Sequence, residues 1–325
     1  MPDGSHPKPN VLVLLRAGAV EQRETIERQL LGALEGAILS FASAPAEAVG
    51  GDHEIIITPS LPWLPEVIAS SPNLRWVHFL SAGVDKMWAM PFDKTRLILT
   101  KSSGVHAAPM SEFALGAMLQ DVKQFGRFVR QQLRREWERT WLDELTGKTV
   151  GILGLGSIGR EIARKAAVFG MRVIGTVSRP RPVDHVAEVF GPDGLDGVLA
   201  RSDYLVVTVP LTDATRGLLD GSRFQLVKPG SFLVNLARGG VVDETALIQA
   251  LDSGRIAGAA LDVFEVEPLP ESSPLWGMEN VLITPHVAGT TSHYLERATQ
   301  IFLENYRSLR ETGELTTPVR LDLGY

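Results

Sequence analysis

The stretch Thr149-Val-Gly-Ile-Leu153-Gly154-Leu155-Gly156-Ser157-Ile158-Gly159-Arg160 sets a short apolar strand pattern directly against a glycine-rich turn, and a helix-like run to Phe169 follows. A lone Gly-x-Gly-x-x-Gly is a weak signal, because tight glycine turns between strand and helix need no ligand. Between an apolar strand and a helix it becomes a strong one. Gly154 allows the tight turn, and Gly156 lacks the Cβ that would block a pyrophosphate. Gly159 lets helix and strand approach closely. The amides of Ser157 and Ile158 then face the phosphates at the positive end of the helix dipole. A dinucleotide-binding βα unit is expected here.

Working outward, the same rhythm continues on both sides. Downstream, Met171–Val177, Tyr204–Val209, Ser231–Asn235, Ala257–Leu261 and Val281–Thr284 read as strands. Helical patterns at Ser222–Val227 and Asp243–Ser253 lie between them, the second opened by Asp243 as an N-cap. Upstream, Val11–Leu15, Glu54–Thr58, Trp76–Leu80 and Leu97–Thr100 are strand-like, with helices over Val20–Leu34 and Leu64–Ser70. One long helical pattern runs from Pro109 to about Leu133, and a last one covers Ser292–Glu311. Strands alternating with helices imply parallel α/β architecture, here two units.

Composition narrows the function. The 325 residues are 44 % hydrophobic and 22 % charged, ordinary for a folded chain of about two domains. A net charge of −6 argues against general nucleic-acid binding. No run reaches the roughly 20 apolar residues that span a bilayer, and the polar, Pro-rich start Met1–Asn10 reads as a tail with no signal-peptide core. With no cysteine, disulfides, thiolate nucleophiles and Cys-ligated zinc are excluded, and a cytoplasmic location is expected.

Three segments just beyond strand patterns carry polar groups in apolar surroundings: Asn235-Leu-Ala237-Arg238-Gly239-Gly240, Asp262-Val-Phe-Glu-Val-Glu267, and Thr284-Pro-His286-Val-Ala-Gly289. Open α/β sheets bind ligands at that end of their strands. Arg238 is permanently charged and offers a planar fork for a carboxylate. His286 can exchange a proton near neutrality, and Glu267 can hold and polarise the imidazole. Such a set suits reduction of a 2-keto acid, with arginine fixing the carboxylate, histidine donating the proton and a nicotinamide cofactor supplying hydride. After Val177 the chain reads Ser178-Arg179-Pro-Arg181, with no acid before Asp184. An NAD site usually places Asp or Glu there, whereas Ser178, Arg179 and Arg181 suit a 2′-phosphate, so NADP(H) is expected to be preferred and NAD(H) possible.

With these residues the chain resembles the D-isomer-specific 2-hydroxyacid dehydrogenase family, in its glyoxylate/hydroxypyruvate reductase-like branch. The likeness runs from Asn73-Leu-Arg-Trp-Val77 and Ser81-Ala-Gly-Val-Asp85 to the His286 segment. It implies two doubly wound parallel-sheet domains around an interdomain cleft, one a flavodoxin-like substrate domain and the other a Rossmann cofactor domain. The substrate domain would be discontinuous, residues 1–108 with 291–325, and 109–290 would form the cofactor domain. Crossover helices near Pro109 and Ser292 would act as its hinge. The resemblance makes Arg238, Glu267 and His286 catalytic, with the backbone of Ala82 and Gly83 joining Arg238 in binding the substrate carboxylate. It places Pro210, Thr215, Ala237, Asp262, His286 and Gly289 at the cofactor. It also implies a homodimer through the region of Arg127–Arg139, whose arginines with Trp137 and Trp141 otherwise read as a solvated helix. No metal and no nucleic-acid or membrane partner is expected. Two alternatives remain: an NAD-dependent phosphite or other-donor dehydrogenase of this fold, and a dinucleotide-sensing corepressor-like scaffold. Glu267 speaks against the formate branch, which carries Gln there.

The other histidines, His6, His53, His78, His106, His185 and His293, show no metal-ligand spacing. His78 reads as a core or sheet-edge residue, and His106 as either a structural or a site residue. Ser157 lacks the elbow spacing of a serine hydrolase. Trp276 reads as packing beneath the His286 loop or lining an acyl pocket.

Overall fold

The computed structural model describes residues 8–321, so the expectation for the tail, with His6, lies largely outside the described residues. In chain order the strands and α-helices are β1 (Asn10–Leu14), α1 (Val20–Ala33), β2 (Ile38–Ala42), α2 (Pro45–Ala48), β3 (Ile55–Thr58), α3 (Leu64–Ala69), β4 (Trp76–Phe79), α4 (Asp85–Trp88) and β5 (Ile98–Lys101). Then follow α5 (Ala107–Val122), α6 (Phe125–Arg134), β6 (Thr149–Leu153), α7 (Ser157–Val168), β7 (Arg172–Thr176), β8 (Glu188–Phe190), α8 (Leu195–Leu199) and β9 (Tyr204–Val207). The chain closes with α9 (Gly221–Leu226), β10 (Ser231–Asn235), α10 (Glu244–Asp252), β11 (Ile256–Leu261), β12 (Val281–Ile283) and α11 (Tyr294–Thr312). Two compact units result, Met1–His106 with Thr291–Tyr325, and Ala107–Thr290.

The first unit holds a five-stranded sheet in the order β2-β1-β3-β4-β5, and the second a seven-stranded sheet in the order β12-β11-β10-β9-β6-β7-β8. All pairings are parallel. These are the flavodoxin-like and Rossmann orders, which reverse direction beside β1 and beside β6 respectively. Both faces of each sheet are covered, so alternate residues of one strand enter different cores. Leu153, Leu205 and Leu233 point to one side of the larger sheet, and Ile152, Val206 and Val234 to the other. Val11 and Val13 are likewise separated from Leu12 and Leu14 in the smaller one. Strands buried on both faces read as continuous apolar runs, which is why the sequence marks most of them.

Two expectations change, two strands are added and the reading of His78 is narrowed. The pattern from Pro109 to Leu133 is two helices, broken where Gln124 takes φ 51°. Gly126 stands two residues beyond the break, and Lys123 Nζ donates to the Asp143 carbonyl (2.8 Å) beside it. Two strands, β2 and β8, escape the sequence reading; both lie at sheet edges and are only partly buried. His78 resolves into the core, in an interior strand, with Nδ1 2.8 Å from Thr100 Oγ1 and Nε2 3.1 Å from Ser102 Oγ. Trp276 is 56 % exposed and donates from Nε1 to the Pro270 carbonyl, so it does not pack beneath the His286 loop. Among the described residues no helix is long and apolar enough to cross a membrane, and no cluster of acids and histidines could hold a metal ion.

Candidate active site

The loops beyond β6, β9, β10, β11 and β12 gather at one edge of the larger sheet. The first holds the glycine turn. Gly154 has φ +103°, and its backbone carbonyl accepts from Thr208 Oγ1 at 2.8 Å, tying the loop after β6 to that after β9. A Cβ at Gly159 would stand 2.2 Å from the Gly154 carbonyl oxygen, so only glycine lets α7 meet the turn. A Cβ at Gly156 would meet nothing within 4 Å. That open space lies at the N-terminus of a twelve-residue helix, where the Ser157 and Ile158 amides begin α7. The turn therefore fits a dinucleotide pyrophosphate. Ser178, Arg179 and Arg181 follow β7 and are exposed, and among the described residues neither arginine pairs with a carboxylate. Pro210 and Thr215 share one turn, because Thr215 Oγ1 donates to the Pro210 carbonyl.

The catalytic candidates stand on the next three loops. Ala237 is buried, its N–H donating to Asn235 Oδ1 at 3.1 Å, and the exposed Arg238 reaches back from Nη1 to the Ala237 carbonyl at 2.7 Å. Gly239 follows because the chain passes against the next loop there. An added Cβ would lie 1.9 Å from the Phe264 carbonyl carbon. On that next loop, Glu267 accepts the Phe264 N–H at Oε1 (3.1 Å) and faces His286 Nδ1 at Oε2 (2.8 Å). Burial pushes the Glu267 carboxyl up, but the hydrogen bonds from His286 and Phe264 and the nearby charges of His286 and Arg238 outweigh it. The carboxyl lies below its ordinary range and is ionised near neutrality. His286 keeps 49 % of its side chain exposed, and among the described residues Nε2 has no partner. A carboxylate accepting at Nδ1 fixes the tautomer and aims Nε2 outward.

Asp262 directly follows β11 and is only 2 % exposed. Oδ1 accepts from Thr284 Oγ1 (2.6 Å) and from the Val287 N–H (2.8 Å), and Oδ2 from the Ala288 N–H (2.9 Å). These donors flank His286 on both sides, and His286 itself has φ 54°. A non-glycine residue at positive φ is held there only by its surroundings. The family resemblance implies a place for Asp262 at the cofactor, but its role in gripping this loop emerges only from the fold, as do those of Thr284 and Thr208. Gly289 follows directly on the gripped loop. Ala82 and Gly83 belong to the other unit, in the turn after β4.

The comparisons agree on one family. Residues 115–288 match the NAD-binding domain of the D-isomer-specific 2-hydroxyacid dehydrogenases. A glyoxylate/hydroxypyruvate reductase A of Photorhabdus laumondii is 34 % identical over 273 residues, 81 % of this chain and 86 % of that one. The structure of a D-isomer-specific 2-hydroxyacid dehydrogenase from Xanthobacter autotrophicus, in complex with NADPH and MES, superposes with a TM-score of 0.82 at 35 % identity, covering 97 % of this chain and 99 % of that one. An NADPH-dependent glyoxylate/hydroxypyruvate reductase from Sinorhizobium meliloti, bound to NADP and sulfate, gives 0.79 at 30 % identity, covering 98 % and 100 %. A double-wound pair of sheets with an Arg–Glu–His set beside a dinucleotide turn defines an NAD(P)-dependent oxidoreductase. This chain belongs to the D-isomer-specific 2-hydroxyacid dehydrogenase family, in its glyoxylate/hydroxypyruvate reductase-like branch.

The grip of Asp262 is testable with Asp262→Asn. An amide keeps the size but turns one acceptor into a donor, so one of the N–H groups loses its partner at a cost of about 1–3 kcal/mol. Chemical denaturation should show that loss, and kcat should fall by about 10–100-fold, as for residues that orient a reacting group. A variant of native stability and rate would show that the carboxylate does not hold the loop.

Proposed function

We propose that this protein reduces small 2-keto acids, glyoxylate and hydroxypyruvate foremost, to D-2-hydroxy acids, with NADPH preferred over NADH. The 2.8 Å contact of His286 Nδ1 with Glu267, which leaves Nε2 outward, carries the reading. Arg238 binds the substrate carboxylate and carbonyl, and the backbone amides of Ala82 and Gly83 complete the carboxylate site. His286 gives its Nε2 proton to the carbonyl oxygen in reduction and takes it back in oxidation. Glu267 holds the ring and balances the imidazolium charge. A nicotinamide, when bound, supplies the hydride. Gly154, Gly156, Ser157, Ile158 and Gly159 hold its pyrophosphate, while Pro210, Thr215, Ala237, Asp262 and Gly289 border the rest of the cofactor.

His286→Ala should lower kcat/KM for glyoxylate by about 10²–10⁴-fold while the NADPH dissociation constant, read by fluorescence, stays unchanged. An equal loss of cofactor affinity would assign His286 a structural role. Arg238→Ala should chiefly raise the KM for the keto acid and lower kcat/KM, and unchanged kinetics would contradict the carboxylate assignment.

The NADPH preference rests on exposed Ser178, Arg179 and Arg181 where an NAD site carries an acid, and on relatives named for NADPH or solved with it. Arg179→Ala should cut the ratio of kcat/KM for NADPH over NADH by about tenfold, the equivalent of 1.4 kcal/mol. A preference for NADH in the native protein that survives this substitution would overturn it.

A homodimer belongs to the same reading. Trp137 and Trp141 are 94 % and 97 % exposed, and Phe125, Val129 and Leu133 are exposed beside them. Large apolar side chains gathered on one surface segment mark an interaction site. Sedimentation velocity should show a dimer that Trp137→Glu dissociates, and a stable, active native monomer would reject it.

A further inference from the structure

The turn after β4 bears unusual constraints on its carbonyls. The Leu80 carbonyl accepts a hydrogen bond from the Tyr294 hydroxyl at 2.7 Å, between residues 214 positions apart. The Ser81 carbonyl accepts from the Ser102 N–H at 3.1 Å, and the Gly83 carbonyl from Ser81 Oγ at 2.7 Å. A trans peptide is planar, with its N–H opposed to its C=O. Pinning the Leu80 and Ser81 carbonyls therefore fixes the direction of the Ser81 and Ala82 N–H groups. Among the described residues nothing accepts a hydrogen bond from the N–H of Ser81, Ala82 or Gly83. Two consecutive donors, the Ser81 and Ala82 N–H groups, are thus aimed by carbonyls held from behind, and the Gly83 N–H follows them in the same turn.

Two of the three pins are local to the sheet, since β4 and β5 are neighbours. The third is not. Tyr294 is the first residue of α11, on the far end of the chain, and its ring lies in the core that also holds Leu80, Val105 and Ala82. The His106 ring stands 5.4 Å from the Tyr294 ring at 41°. Burial pushes the Tyr294 hydroxyl up from its ordinary range, so it remains a donor throughout the neutral region.

We propose that Tyr294 is a positioning residue for substrate recognition, its hydroxyl setting the Leu80–Ser81 peptide, and with it the Ser81 N–H and the entry into the Ala82–Gly83 turn that binds the carboxylate of the 2-keto acid. The inference rests on the role proposed above for the Ala82–Gly83 turn. It assigns α11 a part in substrate binding that no residue of its own exposed surface suggests. An anion bound by backbone donors gains from their being fixed beforehand, because their ordering is not paid for at binding.

Tyr294→Phe removes the hydroxyl and keeps the ring and its contact with His106. The expected result is a KM for glyoxylate raised about 3- to 10-fold, the worth of one hydrogen bond, with kcat and the NADPH dissociation constant unchanged. The inhibition constant of oxamate, a carboxylate-bearing isostere of a 2-keto acid, should rise by the same factor. Unchanged KM and oxamate inhibition in an active variant would overturn the inference and leave the proposed activity standing. Loss of soluble, NADPH-binding protein, or a fall in kcat and melting temperature at constant KM, would assign the hydroxyl to fold maintenance and overturn it equally. A native protein that reduces no 2-keto acid would overturn the proposed function, and this inference with it.

Discussion

A buried carboxylate has to be satisfied, and the way Asp262 is satisfied organises the catalytic edge of the larger sheet. An unpaired charge at 2 % exposure would cost far more than the fold could spare. Its nearest donors are supplied by the chain leaving β12, the strand hydrogen-bonded to its own. Meeting that demand turns the N–H groups of Val287 and Ala288 inward, with the backbone at His286 at φ 54°. The imidazole is then carried out to the surface, where Glu267, also on the segment after β11, meets Nδ1. The position of the His286 imidazole is thus a consequence of a carboxylate it never touches.

The second constraint is closeness. The Arg238 loop and the Glu267 loop lie so near each other that any side chain at Gly239 would overlap the backbone at Phe264. That proximity lets the charge of Arg238 reach the Glu267 carboxyl and help keep it ionised. One guanidinium therefore serves two ends in the proposed function, as the fork assigned there to a carboxylate and as support for the anion that holds the histidine. Lysine in its place would keep the charge but lose the planar fork.

What the sequence reveals and what it hides follow from the range of the interactions. The glycine turn is legible because its physics is local: strand, turn and helix are contiguous from Thr149 to Val168. Arg238, Glu267 and His286 stand out because charged or titratable groups follow apolar strands. The partners of Asp262 do not stand out, since Thr284, Val287 and Ala288 lie 22 to 26 residues away and two of them contribute only backbone. Sheet order alone brings them together. The break at Gln124 escapes because helix formers continue on both sides of it, and the one breaker nearby, Gly126, falls inside the second helix. Trp276 misleads because an aromatic residue in an apolar run reads as core, while its indole is in fact held at the surface by the Pro270 carbonyl.

Two histidines in this chain show how environment decides between structure and chemistry. His78 is enclosed in the smaller sheet, and burial pushes its imidazole down to about 3, only slightly offset by hydrogen bonding near Ala298. It is neutral across the range in which enzymes work, and both its nitrogens are engaged by Thr100 and Ser102. No proton can be exchanged with a substrate from such a place, so the residue serves packing, against Phe302 at 5.4 Å. His286 has the opposite arrangement: one nitrogen held by an ionised carboxylate, the other facing outward, and a main chain kept in an uncommon conformation by Asp262. The ring that stores the proton has to be open to a reactant on one side and anchored on the other. Among the histidines of the described residues, His286 has its Nδ1 anchored at hydrogen-bonding distance by a carboxylate kept ionised below its ordinary range, and stands beside an arginine whose charge reaches that same carboxylate.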